Sequence, residues 1–153
     1  MLDLALTSLR SSASEDREFL WSLHRETMRD YVAKTWGWDD NWQREHFDEK
    51  FDPEGLQIIE YGDQPIGYIS VRRPGTEIFI AAIEIAPAFQ NRGVGTRLIS
   101  NLLNEADWLR IPVKLLVLKV NPARRLYERL GFQCTGETNT HFAMKREPRS
   151  LEQ

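Results

Sequence analysis

The stretch from Glu77 to Leu109 constrains the fold more than any other part of the chain. It opens with EIFIAAIEIA, apolar at nearly every position, the pattern of a central strand covered on both faces. It continues through PAFQNRGVGT, where Pro87 ends the strand. A helix is expected from about Arg92 to Leu109, with Leu98, Leu102, Ala106 and Leu109 on one stripe. The first-turn amides of such a helix lack intrahelical acceptors, and the helix dipole adds partial positive charge there. Gly93 and Gly95, having no side chains, let an anion approach those amides, and Gln90 and Arg92 add donors. The stretch reads as a pyrophosphate cradle. No Gly-Lys-Ser/Thr follows, so it is not a Walker A loop, and the third glycine of the dinucleotide fingerprint is missing. A plain strand-to-helix turn would use the same glycines.

Upstream, LDLALTSL reads as a short first strand. Ser14 is placed to cap a helix with Asp16 in its first turn. Leu20, Leu23, His24, Thr27 and Tyr31 share one face of that helix. A second helix is expected from Asp39 or Asp40 to about Phe51. The loop between them, TWGWDDNWQ, holds three of the five tryptophans. Asp52-Pro53-Glu54-Gly55 is a break. LQIIEY and IGYISVRR are strands joined by a GDQP hairpin turn, and Pro74-Gly75 turns the chain again. Downstream, VKLLVLKV is another buried strand. Asn121-Pro122 opens a short helix that Gly131 closes, and FQCTGE and HFAMKR are the last strands. The order β-α-α-β-β-β-α-β-α-β-β predicts an α/β fold around one mixed sheet of about six or seven strands with four helices. The 153 residues suit one domain, placed over 1–147, with REPRSLEQ reading as a disordered tail whose end is 148–153.

A second stretch, VNPARRLYERLGF, follows the strand after the long helix. Together with QNRGVG it resembles the two signature motifs of the GNAT superfamily of acyl-CoA-dependent N-acetyltransferases. Gln90, Gly93 and Gly95 meet the first, Gln/Arg-x-x-Gly-x-Gly/Ala, with Arg92 at a free position. Asn121, Ala123, Leu126, Tyr127, Leu130, Gly131 and Phe132 meet the second. The motifs lie ~30 residues apart in the family's element order. The resemblance implies a GNAT-like fold with splayed strands at the cofactor site, acetyl-CoA as co-substrate, and no metal. The pantetheine arm would pair with the backbone at Ile83 and Ile85. The pyrophosphate would bind along Gln90, Asn91, Arg92, Gly93, Val94, Gly95 and Thr96. Asn121 would bond the cofactor arm and Arg124 would reach a phosphate. Tyr127 matches the family's usual general acid, which protonates the leaving thiolate. Plainer readings stand beside these: core for Ile83, Ile85 and Tyr127, a helix cap for Asn121, a solvated side chain for Arg124.

An amine acceptor must lose a proton before it attacks, since a lysine-type ammonium has a pKa near ~10.4. Some relatives carry an acid on the strand before the second motif, but KLLVLK has none. Glu84, in an apolar strand beside the glycine loop, is the best substitute, taking the proton directly or through one water. A glutamate paired with an arginine is the alternative. His141 is the second candidate, and His24, read as a helix-face residue, the third. Such folds usually bind the acceptor near YVAKTWGWDDNWQ. There Tyr31, Trp36 and Trp38, with Asp39 and Asp40, would suit an amine or a cation. Trp42 is expected to seal the two helices instead.

Composition sets the outer bounds. Hydrophobic residues are 41%, charged residues 28% and the net charge −3, without the basic excess of a nucleic-acid binder. No apolar run approaches ~18 residues, so no membrane span is expected. The lone Cys134 forms no intrachain disulfide and fits a reducing compartment. The opening MLDLALTSLRSSASEDREF lacks a signal-peptide pattern, so the expected location is the cytoplasm. The expected function is acetyl transfer from acetyl-CoA to a primary amine, of a small molecule or a protein, by direct attack in a ternary complex. A homodimer is left open. The alternative is a non-catalytic acyl-CoA-binding or interaction domain on the same fold.

Overall fold

The computed structural model describes residues 2–53 and 55–150. Glu54, inside the expected break, and the end of the tail from 151 on lie outside the described residues. Backbone contacts divide the chain into two compact units. The first comprises the residues up to Ser70 together with Ala82–Arg92, and the second Val71–Ala81 together with the residues from Gly93 on.

In the first unit, Leu4–Leu6 form a 3-10 turn and β1 follows at Thr7–Ser11. The strand begins later than its leucines suggest, because Asp3 accepts a bond from the Ala5 amide and curls them into the turn. Ser14 is not a helix cap: Ser14–Asp16 make a second 3-10 turn, and α1 runs Arg17–Thr35. Asp16 is buried and faces β1. Its two oxygens take the two Arg10 guanidinium nitrogens at 3.0 Å each, and Oδ2 also accepts the Ala13 amide at 2.8 Å. This two-pronged pair ties the start of α1 to the sheet. α1 buries Leu20, Trp21, Leu23 and Val32. α2, Asp40–Lys50, starts as expected, with Asp39 accepting the Trp42 amide at 2.9 Å. β2, Leu56–Tyr61, pairs antiparallel with β1 and with β3, Gln64–Arg72.

β4, Ile78–Ile85, passes from the second unit into the first. Its registered pairs with β5, Val113–Leu118, are parallel and join Ile78 to Val113, Phe79 to Lys114 and Ile80 to Leu115. β5 pairs antiparallel with β7, His141–Arg146, and β7 with β6, Gln133–Glu137. The sheet is mixed, with seven strands in the order β1-β2-β3-β4-β5-β7-β6. α3, Val94–Leu109, buries Val94, Leu98, Ile99, Leu102, Leu103 and Ala106, and each large apolar side chain so placed contributes about 1.5–3 kcal/mol. Leu109, expected on that stripe, is 57% exposed because the helix stops there and Arg110 turns the chain at φ 58°. Leu116 is also exposed, so β5 buries Val113, Leu115 and Val117 on one face and only Leu118, at its end, on the other. α4, Arg124–Arg129, ends at Gly131, whose φ is +98°. Among the described residues no helix is long and apolar enough to cross a membrane. Nor does any group of three or more His, Cys, Asp or Glu among them have a metal-holding arrangement.

Arg146, which the sequence placed both at the end of the last strand and at the start of REPRSLEQ, is the buried last residue of β7. Its guanidinium meets Asp107 of α3 at 2.5 and 3.3 Å. The Arg149 amide donates to the same carboxylate at 2.8 Å, so the chain is tied to α3 that far. Burial opposes charge on Asp107, but the bonds from Arg146 and the Arg149 amide outweigh it and hold the carboxyl below its ordinary pKa. Arg146→Met would leave that carboxylate buried without its cation. We expect a loss of about 3–5 kcal/mol in urea unfolding at neutral pH; an unchanged midpoint would count against the pair. Because the folded pKa is depressed, the contribution is present above the unfolded value of ~3.9 and fades as the pH falls through the folded one.

Candidate active site

β4 is not apolar on both faces along its whole length. Ile78 and Ile80 are buried, but Ile83 and Ile85 are half-buried and Ala81 is exposed. The buried residue near its end is Glu84, 8% exposed. Gly67 of β3 explains how it gets there. A methyl group at Gly67 would collide with the Glu84 carbonyl oxygen and come within 3.1 Å of the Ile85 Cα. Only a residue without a side chain permits that approach. Beside it the Ala86 amide donates to the Ile66 carbonyl at 2.7 Å.

Three donors converge on the Glu84 carboxylate. Thr27 Oγ1 donates to Oε1 at 2.5 Å, His24 Nδ1 lies 3.1 Å from Oε2, and the Tyr68 hydroxyl also donates to Oε2. Thr27 lies 2.9 Å from the Leu23 carbonyl as well. Its single proton serves the carboxylate when that is charged, since a bond to an ion is the stronger. The Tyr68 hydroxyl is pushed well above its ordinary pKa by desolvation first, then by the charge of Glu84 and the bond to it. For His24, burial works against the charged imidazolium, but the bond to Glu84 and its charge outweigh burial and raise the pKa above 6.5. His24 and Thr27 lie one helical turn apart on α1, on the face read from the sequence. The sequence reading passed over Tyr68 altogether. A polar-tipped residue sharing a face of β3 with Ile66 was the available signal.

His24 also belongs to an aromatic cluster. Its ring centroid lies 6.4 Å from Trp21, 6.3 Å from Trp38 and 6.2 Å from Phe47. Trp38 stacks on Trp21 at 6.2 Å and donates from Nε1 to Asp40 at 2.6 Å. Trp38 thus does the sealing assigned to Trp42. Trp42 is 56% exposed, stacks on His46 at 4.8 Å, and with Trp36 and Trp38 lines a pocket of about 720 Å³. Gly37, at φ +87°, makes the turn between two of these indoles. Tyr31 is half-buried on α1 and is not among the pocket's lining residues.

The glycine loop follows β4. Pro87–Phe89 form a 3-10 turn, and the Gln90 side chain donates back to the Ile85 carbonyl at 2.8 Å. Gln90 therefore braces the loop rather than extending from it. Asn91 at φ 60° and Gly93 at φ 91° are left-handed, and no side chain caps α3 at Gly93. Main-chain N–H groups of the first turn are thereby left for an anion. Arg92 and Thr96 are exposed, whereas Val94 is core and offers its amide alone. Beyond the Ile80–Leu115 pair, β4 continues to Ile85 and β5 to Leu118.

The second unit holds the remaining candidates. Tyr127 is buried with its ring edge-on to Phe132, and burial pushes its hydroxyl up to about 12. Asn121 Oδ1 accepts the Ala123 amide at 2.9 Å, leaving its Nδ2 as a donor. Arg124 pairs with Glu128 at 2.6 Å and lies over the Phe142 ring at 4.6 Å. His141 sits on β7 with its Nδ1 2.8 Å from the Thr140 hydroxyl. Of the three candidate bases, the structure joins His24 to Glu84, the pair that the sequence kept apart.

A family model described as the acetyltransferase (GNAT) family matches residues 17–132, well over half of the chain. The chain belongs to the GNAT acetyltransferases. No curated protein sequence matches it significantly. Solved structures agree on the fold. PaiA N-acetyltransferase from Thermoplasma acidophilum, in complex with coenzyme A, superposes with a TM-score of 0.75 at 16% identity, covering 92% of this chain and 98% of that one. An acetyltransferase from Thermus thermophilus gives 0.72 at 16%, covering 95% and 99%. The ribosomal-protein-S18-alanine N-acetyltransferase of Escherichia coli gives 0.66 at 17%, covering 95% and 97%. The GNAT match runs through the glycine loop, Glu84 and Tyr127 alike.

The approach at Gly67 leaves no room for a methyl group in this GNAT protein. Gly67→Ala should lower the melting temperature, because β3 and β4 must part to admit the methyl group. It should also disturb Glu84, read as a shift of the Tyr68 ring signals in NMR. A variant with the parent melting temperature and spectrum would refute the close approach.

Proposed function

We propose that this GNAT protein transfers the acetyl group of acetyl-CoA to a primary amine by direct attack in a ternary complex. The observation that carries the reading furthest is Glu84, a buried carboxylate held by donors at the end of the strand that feeds the glycine loop. A binding module has no need of so costly a group.

The chain suits the co-substrate. The amides of Gly93, Val94, Gly95 and Thr96 at the uncapped start of α3 fit a pyrophosphate, with Asn91 and Arg92 beside them. Ile83 and Ile85 would offer backbone groups to the pantetheine arm, although Gln90 already occupies the Ile85 carbonyl. Asn121 would donate from Nδ2, and Arg124 would leave Glu128 to reach a phosphate. Bound acetyl-CoA supplies a thioester carbonyl open to an amine. Tyr127 keeps its proton through the neutral range, so its hydroxyl is ready to protonate the leaving sulfur. Deprotonation of the amine depends on Glu84. The pocket at Trp36 and Trp38 would take the acceptor. Its 720 Å³ falls within the roughly 300–1,000 Å³ of small-molecule sites. The exposed free Cys134 is in keeping with a reducing cytoplasm.

A screen of primary amines with acetyl-CoA, read by thiol release, tests the reading. Release with at least one amine is expected; binding of acetyl-CoA without release for any would favour the non-catalytic alternative. Gly95→Asp should abolish acetyl-CoA binding in calorimetry while the fold survives, since an acid at a helix start stabilises the helix but repels a phosphate. Unchanged affinity would remove the cradle. Tyr127→Phe should lower kcat by about 10²-fold with acetyl-CoA affinity kept, and a fully active phenylalanine variant would remove the general acid.

A further inference from the structure

We propose that His24 takes the amine's proton at Nε2, and that Glu84, supported by Thr27 and Tyr68, is the positioning residue that holds the imidazole for this step. The proposal rests on the acyl-transfer reading above and assigns the base within it.

The geometry favours His24 over Glu84 as the landing place. A carboxylate has about four lone-pair sites, and here Thr27, Tyr68 and His24 occupy three of them. The Glu84 side chain is 8% exposed, whereas that of His24 is 25% exposed. A carboxylate facing Nδ1 fixes the N–H there and leaves the lone pair on Nε2, at the other edge of the ring. Thr27 and Tyr68 both donate, so they hold the carboxylate in place without competing for His24's proton. The ring is also next to the acceptor pocket, through its contact with Trp38. Among the described residues Glu84 is the charged group acting on His24. The neighbours Trp21 of α1, Trp38 of the following loop and Phe47 of α2 are aromatic and uncharged.

The step balances within the chain and the acceptor. One N–H bond of the ammonium breaks, and its electron pair remains on the amine nitrogen as the attacking lone pair. A new N–H bond forms at Nε2, and the resulting imidazolium is stabilised by the Glu84 carboxylate. An unperturbed imidazole lies ~4 pKa units below a primary ammonium, and each unit by which Glu84 narrows that gap is worth about tenfold in the transfer equilibrium.

The test uses the full chain, an amine turned over by the wild type, and the pH profile of kcat/KM. The wild type should show an acidic limb above pH ~6.5. His24→Gln can still donate to Glu84; it should lose about 10²-fold in rate and lose the limb, with acetyl-CoA affinity unchanged. Glu84→Gln removes what raises the His24 pKa and leaves burial, so its limb should move to lower pH as the rate falls. Nitrogen-15 NMR of the three histidines, assigned with His24→Gln, should find neutral His24 protonated on Nδ1. A His24→Gln enzyme with the wild-type rate and limb would overturn the proposal, as would a neutral His24 protonated on Nε2. Absence of thiol release by the wild type with every amine would overturn the acyl-transfer reading instead, and the NMR tautomer would still judge the His24–Glu84 pair.

Discussion

Glu84 can be buried because Gly67 has no side chain and because three donors meet the carboxylate that the close approach delivers. Without Gly67 the neighbouring strand could not come so near the backbone at Glu84. Without Thr27, His24 and Tyr68 an ionised carboxylate there would carry a desolvation cost of several kcal/mol. The donors come from α1 and β3, so one acid joins a helix to the sheet at the end of the strand that leads into the glycine loop. Packing and hydrogen bonding coincide at this point, and a residue placed for one necessarily affects the other.

Among the described residues the buried acids Asp16, Glu84 and Asp107 differ in the chemistry of their partners. Asp16 has Arg10 and Asp107 has Arg146, permanent cations that grip both oxygens and hold each carboxyl below its ordinary pKa. Such pairs fasten a helix to a strand and exchange no protons. Glu84 has a histidine, a tyrosine and a threonine in place of an arginine. The histidine can change its charge near neutral pH, and the raised pKa of His24 is the direct consequence of its bond to Glu84 and of that residue's charge. The arginine partner that the sequence admitted for Glu84 exists in this protein, but at the other two acids.

The aromatic loop after α1 also has two layers. Trp38 lies flat on Trp21 and is anchored through Asp40, and together with Phe47 it encloses the His24 ring. Trp42 stands outside against His46. Three tryptophans within a few residues look alike in sequence. They divide into seal and wall because the turn at Gly37 and the Asp39 cap of α2 set their directions. Trp38 touches both the pocket and the histidine.

Much of this protein could be read from local pattern. The apolar run into PAFQNRGVGT, the Asn121-to-Phe132 stretch and the hairpin turns depend on near neighbours in the chain, and they yielded the element order, the mixed sheet and the GNAT family. The position of Glu84 was likewise legible, as an acid in an apolar strand. What surrounds it was not, since His24, Thr27 and Tyr68 stand far from it in sequence and no periodicity links a helix face to one strand residue. The same holds for Arg146, which ends an apolar strand and reads as the start of a tail until Asp107 is brought beside it. Charged and polar partners are chosen by distance in space, and burial strengthens the few contacts that survive, so tertiary packing alone decided which acid meets an arginine and which meets a histidine.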